Sequence, residues 1–92
     1  MIRSFRCKWT RAIFEGETPL RFASIAAAAE RRLELLDATS SLKDLTLLPG
    51  NRLEALRGDR RGQFSIRVND QFRICFRWKS GAAVDVEIVD YH

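Results

Sequence analysis

One histidine, one tyrosine, two prolines and two cysteines are all that this chain of 92 residues has of those types. Each scarcity excludes something. Cys7 and Cys75 are too few for a disulfide scaffold, so reduced thiols and a cytoplasmic setting are expected. A lone histidine, with cysteines at no metal-ligand spacing, argues against a zinc site; no metal and no cofactor are expected. The longest apolar stretch, Ile25 to Ala29, is far short of the roughly 20 residues that cross a bilayer, so no membrane role is expected. The opening "MIRSFRCKWT" has scattered basic residues and no apolar core, which does not read as a signal peptide.

What is present is ordinary for a globular chain: 46% apolar and 30% charged residues. Residues 1–92 are expected to form a single domain, burying roughly 60–65% of the surface of the unfolded chain. Net charge is +4, unevenly spread. Between residues 52 and 79, eight basic residues stand against three acidic ones, a balance of +5. Seven of the eight are arginines, the side chain suited to bidentate contact with phosphate. A polyanion such as RNA is one partner this predicts. A merely solvated basic face is the other reading, and charge alone does not separate them.

The patterning predicts helices first and strands after. Ile2 to Phe5 reads as a short edge strand and Lys8 to Glu15 as a short helix. Thr18-Pro19 reads as a cap followed by proline in the first helical turn. Phe22, Ile25, Ala26, Ala29, Leu33 and Leu36 then fall on one helical face, which Asp37 to Ser40 ends. Ser41 and Asp44 resemble a capping box for a third helix that stops at Pro49-Gly50. "RLEAL" is a short strand candidate. "QFSIRV", "QFRICFRW" and "VDVEIVDYH" alternate with period 2, placing Val84, Val86 and Ile88 opposite Asp85 and Glu87. This order predicts an α+β fold, an antiparallel meander with helices on its apolar face. Trp78 and the phenylalanines lie on the apolar parity and are expected in the core.

Parity also fixes a register. Apolar residues on both sides of "VNDQ" are even-numbered, and opposed residues share a face. The loop must therefore be odd, most simply Asn69-Asp70-Gln71, which sets Arg67 opposite Arg73. An anion between them would relieve their repulsion.

"LEALRGDRRGQFSIRVNDQFRICFRW" followed by "VEIVDYH" resembles HigB, the host-inhibition toxins within the RelE superfamily of bacterial toxin–antitoxin systems. The resemblance covers the whole chain and is strongest from Asn51 onward. It implies a microbial-RNase-like fold with a basic concave face opposite the helices. It implies a metal-free endoribonuclease that cuts mRNA in the ribosomal A site. It also implies a cognate helix-turn-helix antitoxin, HigA-like, through which alone operator DNA is contacted. Asp90, Tyr91 and His92 match the family's terminal catalytic group, and Arg73 matches its phosphate-contacting arginine. Arg57 falls where lysine is frequent, and Glu54 where some members carry an assisting histidine.

Those residues suit the chemistry. RNA cleavage by 2′-hydroxyl attack needs a base, a cation for the phosphoryl oxygens and an acid for the leaving 5′-oxygen. Arg73 and Arg57 suit the cation's role. Asp90 beside His92 favours imidazolium, so His92 is expected as general acid. Asp90, Glu54 and the α-carboxylate are candidate bases, and Tyr91 could orient phosphate or stack on a base. Arg67, Arg77, Arg60 and Arg61 complete the phosphate-binding candidates. Plainer readings stand beside these: a frayed terminal histidine, Arg73 paired with Glu87 across the sheet, Arg60 and Arg61 solvated, and Ser65 filling the face. Cys75, on the polar parity, is assigned no chemistry. The alternative function is an inactive RNA- or ribosome-binding module on the same fold.

Overall fold

The computed structural model describes residues 1–47 and 50–90. Three helices, α1 (Lys8–Phe14), α2 (Ala26–Ala38) and α3 (Leu42–Thr46), precede four strands. These are β1 (Glu54–Ala55), β2 (Phe64–Arg67), β3 (Phe72–Lys79) and β4 (Ala82–Asp90), antiparallel in the order β1-β2-β3-β4. The fold is α+β, as the patterning predicts.

The sheet has one covered face. Ile66, Ile74, Phe76, Val86 and Ile88 are buried there against Ile13, Ile25, Ala29, Leu33, Leu36 and Leu45. Ala29, fully buried, has no bulk to hold α2 away from its neighbours. Each large side chain so buried contributes roughly 1.5–3 kcal/mol. Phe22 and Phe72 meet edge to face at 5.9 Å. Trp78, half-buried, stands against Phe76, and both belong to the core as expected.

α2 starts later than its sequence predicts. Pro19 has a ψ of 138°, which is extended, and only a 3-10 turn, Leu20–Phe22, follows it. Regular helix begins at Ala26, after Ile25 at φ −116° and ψ 0°. Phe22 is buried through that turn and not through helical periodicity. At α3, the Ser41 hydroxyl accepts from the Lys43 N–H, a plain N-cap; the Asp44 half of the expected capping box does not form among the described residues. The expected stop at Pro49 lies outside the described residues.

The N-terminal stretch is less a strand than a seam. Ile2 and Phe5 make isolated parallel bridges to Ala83 and Val86. Between those bridges β4 carries a bulge. Cys75 faces Glu87 but Arg77 faces Val84, one residue out of step. Asp85 takes a φ of 54° there, and its N–H donates to the Ser4 hydroxyl at 2.9 Å. A bulge inverts which face a strand presents. Val84 therefore shares a face with Arg77, not with Val86 and Ile88 as unbroken alternation predicts.

Candidate active site

The hairpin between β2 and β3 has the odd loop that parity requires. The Asn69 side chain accepts from the N–H groups of Gln71 and Phe72, and Arg67 stands opposite Arg73. Opposed residues share a face, so the registers lay out the open side of the sheet in transverse rows. One row runs Arg67, Arg73, Val89. The next runs Glu54, Ser65, Cys75, Glu87, with a carboxylate at each end and two fully buried small residues between.

A concave site of about 300 Å³ opens over the arginine row, lined by Arg52, Glu54, Arg67, Asn69, Asp70 and Arg73. Arg73 is its most firmly held member. Its Nε donates to the Ser65 hydroxyl at 2.7 Å, and its Nη2 donates to the Arg52 carbonyl. The expected pairing with Glu87 does not form, because Arg60 and Arg6 reach that carboxylate instead. Ser65 is thus a buried acceptor for Arg73, not a filler of the face.

The Arg52 carbonyl is itself held in place. Arg52 adopts a φ of 45°, a left-handed conformation that costs an L-residue roughly 1–3 kcal/mol. The residue before it, Asn51, is fully buried and anchored. Its amide nitrogen donates to the Leu45 carbonyl, its side-chain oxygen accepts from Arg32, and its carbonyl accepts from the Arg67 N–H. A chain of hydrogen bonds thus runs from α2 through Asn51 to the segment that holds the Arg73 guanidinium. The pattern-based candidate set omits Arg52, Asn51 and Ser65. Arg52 was legible only as one basic residue among eight, while the other two carry no local signal.

The remaining candidates divide. Arg67, half-buried, pairs with Asp70 at the loop. Glu54 also borders an adjoining recess with Arg57, so these two are neighbours along β1 and its exit. Arg57 and Arg61 are exposed at either end of the 3-10 turn Gly58–Arg60. Arg60 in that turn is not merely solvated: it donates to Gln63 and to Glu87 at 2.9 Å. Arg77 lies across Gly62, whose φ is 91°. An added Cβ there would meet the guanidinium at 2.8 Å. Asp90 stands opposite Phe72, on the covered-face parity of Ile88, and accepts from Gln71 at 3.1 Å. The bulge that re-aims β4 lies well before it. Tyr91 and His92 lie outside the described residues. Burial pushes the Cys75 thiol up from 9.0, outweighing the pull of Arg60.

Comparison with known proteins agrees with the fold. A chain of the YoeB-YefM complex from Staphylococcus aureus has a similar fold, with a TM-score of 0.57 over 100% of this chain and 98% of that one. At 13% identity the likeness is one of fold. Two curated relatives are nearer in sequence. Toxin HigB-1 of Vibrio cholerae is 41% identical over 92% of both chains, and Endoribonuclease HigB of Proteus vulgaris is 33% identical over 100% of both. The fold and the sequence are those of a RelE-like toxin of a type II toxin–antitoxin system. Within that class the chain belongs to the HigB-like toxin family, whose pattern residues 3–92 match.

Proposed function

We propose that this toxin is a ribosome-dependent endoribonuclease that cuts mRNA in the A site and so arrests translation. The observation that carries it is Arg73: an arginine fixed by Ser65 and the Arg52 carbonyl, opposite Arg67, in a recess that also holds Glu54. The name of the Proteus vulgaris relative supports the reaction class. Arg73 grips the scissile phosphate and offsets the charge that grows on its oxygens. Attack by the 2′-hydroxyl needs no metal. His92 gives its proton to the leaving 5′-oxygen, and Glu54, the carboxylate of β1 that lines the recess, takes the proton from the 2′-hydroxyl. Arg57 and Arg67 add positive potential along the strand, and Tyr91 orients the nucleotide. A helix-turn-helix antitoxin neutralises the toxin in the cytoplasm and carries any operator binding.

The decisive measurement is cleavage of a translated mRNA with and without ribosomes. Arg73→Ala and His92→Gln should each slow ribosome-dependent cleavage by ~10²–10⁴-fold while binding changes little. Wild-type rates in His92→Gln would remove the histidine from the mechanism. Cleavage absent in the wild-type protein, with ribosome binding intact, would favour the inactive module.

A further inference from the structure

Beside the Arg73 recess, the open face holds a second concavity of different chemistry. It has a volume of about 380 Å³ and is lined by Arg6, Asp59, Arg60, Gln63 and Glu87. Its arginines and carboxylates balance, so it offers a phosphate little. A carboxylate stands in it instead. Arg60 donates to Glu87 Oε1 at 2.9 Å, and Arg6 Nε lies 3.6 Å from Oε2. These two contacts fix its orientation.

The same Arg60 nitrogen donates to Gln63 Oε1 at 3.1 Å, which sets how that amide lies. Gln63 is only 7% exposed, and its Nε2 has no protein partner among the described residues; since no side-chain polar atom there is both buried and unsatisfied, that amide reaches the surface of the recess. The recess therefore presents a fixed acceptor beside a fixed, unused donor. That is the complement of a nucleobase edge. Guanine suits it best: N1–H and the 2-amino group offer two adjacent donors to a carboxylate, and O6 accepts from an amide.

Placement fits as well. Glu87 stands opposite Cys75, two residues along β3 from Arg73, or about 7 Å of strand. One RNA strand can occupy both recesses.

We propose that Gln63 and Glu87 form a base-reading subsite, which binds guanine in a nucleotide flanking the one whose phosphate Arg73 grips. The proposal deepens the endoribonuclease reading and rests on it. A paired set of base contacts of this kind discriminates by about 5–150-fold.

Two arms test it. In the first, cut sites on a pool of translated mRNAs are mapped for the wild type, Gln63→Met and Glu87→Gln. Guanine should be enriched at one fixed distance from the cut in the wild type. Both variants should lose that enrichment through slower cutting at the guanine sites, while cutting at sites without guanine in that place stays within about threefold of wild type. Gln63→Met keeps both ion pairs, so it carries the test if Glu87→Gln folds poorly. No enrichment in the wild type, or enrichment that survives Gln63→Met, overturns the subsite.

The second arm needs no cleavage. The Gln63 side-chain amide signals of the ¹⁵N-labelled protein are followed as short RNAs are added, containing one guanine, one inosine or one adenine. Inosine lacks only the 2-amino group. A shift of those signals with guanine, weaker with inosine and absent with adenine, supports the subsite. Equal shifts with all three overturn it. If the wild type cuts nothing on ribosomes, the endoribonuclease reading fails, while this arm still decides whether the recess reads a base.

Discussion

Arg73 illustrates how a single side chain acquires a role. A flexible arginine on an open sheet loses rotamer entropy whenever it must meet a phosphate. Here Ser65 and the Arg52 carbonyl hold it in place beforehand. Ser65→Ala should therefore lower kcat by about 10–100-fold with little change in KM, as expected of a misplaced catalytic group. Ser65→Thr, which keeps the hydroxyl, should restore most of the rate. If Ser65→Ala cleaves at the wild-type rate, Arg73 does not depend on that bond. The two thiols make a second test at this scale. Cys75 is fully buried and its thiol is pushed up, whereas Cys7 is half-buried. At pH 8, iodoacetamide should label Cys7 in the native protein and spare Cys75, with mass spectrometry locating the label. The sign of the linkage is also set. A raised thiol leaves stability unchanged below 9.0 and lowers it as pH rises through the folded-state value.

At the scale of elements, β4 bears the heaviest constraint. It pairs with β3 on one side and meets the N-terminal seam on the other. Its Ile88 N–H has no strand partner on that outer side and donates instead to the hydroxyl of Thr10 on α1, at 3.0 Å. Thr10 is fully buried. Thr10→Val keeps the volume and strands that N–H, so it should cost about 1–3 kcal/mol, read as a shift in the urea midpoint. It should also loosen the strand that carries Asp90. An unchanged midpoint would mean that water replaces the hydroxyl. In α2, Leu33→Ala empties a fully buried position and should cost about 2–5 kcal/mol. Leu20→Ala, at a site 93% exposed, should cost next to nothing in the same measurement.

At the scale of the whole molecule, helices shield one face of the sheet and leave the arginines on the other. With net charge +4, and the excess concentrated between residues 52 and 79, association with ribosomes or RNA should be electrostatic. For single-stranded RNA, log K should fall with log salt at about −0.7 per phosphate neutralised. Arg67→Ala and Arg57→Ala should each reduce that slope by about one phosphate equivalent. Slopes equal to the wild type in both variants would move the contact surface off this face.

The sequence by itself determined the α+β order, the meander, the odd hairpin loop and the pairing of Arg67 with Arg73. All of these follow from local periodicity and the identity of opposed residues, which a linear pattern carries in full. It determined the family as well, through motifs whose residues are near one another in the chain. Only the tertiary structure decided how the face is used. The bulge at Asp85 breaks the alternation because the strand must also meet Ser4, which stands 81 positions away. α2 begins at Ala26 because the chain first makes a 3-10 turn at Leu20–Phe22 and then breaks at Ile25, whose φ is −116° and ψ 0°. Arg60 was claimed by Glu87, Arg73 by Ser65 and Arg52, and the Gln63 amide nitrogen by no other group among the described residues, since each outcome depends on which groups fold within about 3 Å of one another. Spacing in the chain does not encode such distances. They are set by the packing of α2 and α3 against the segment at Asn51, where a single buried amide ties helix, loop and strand together.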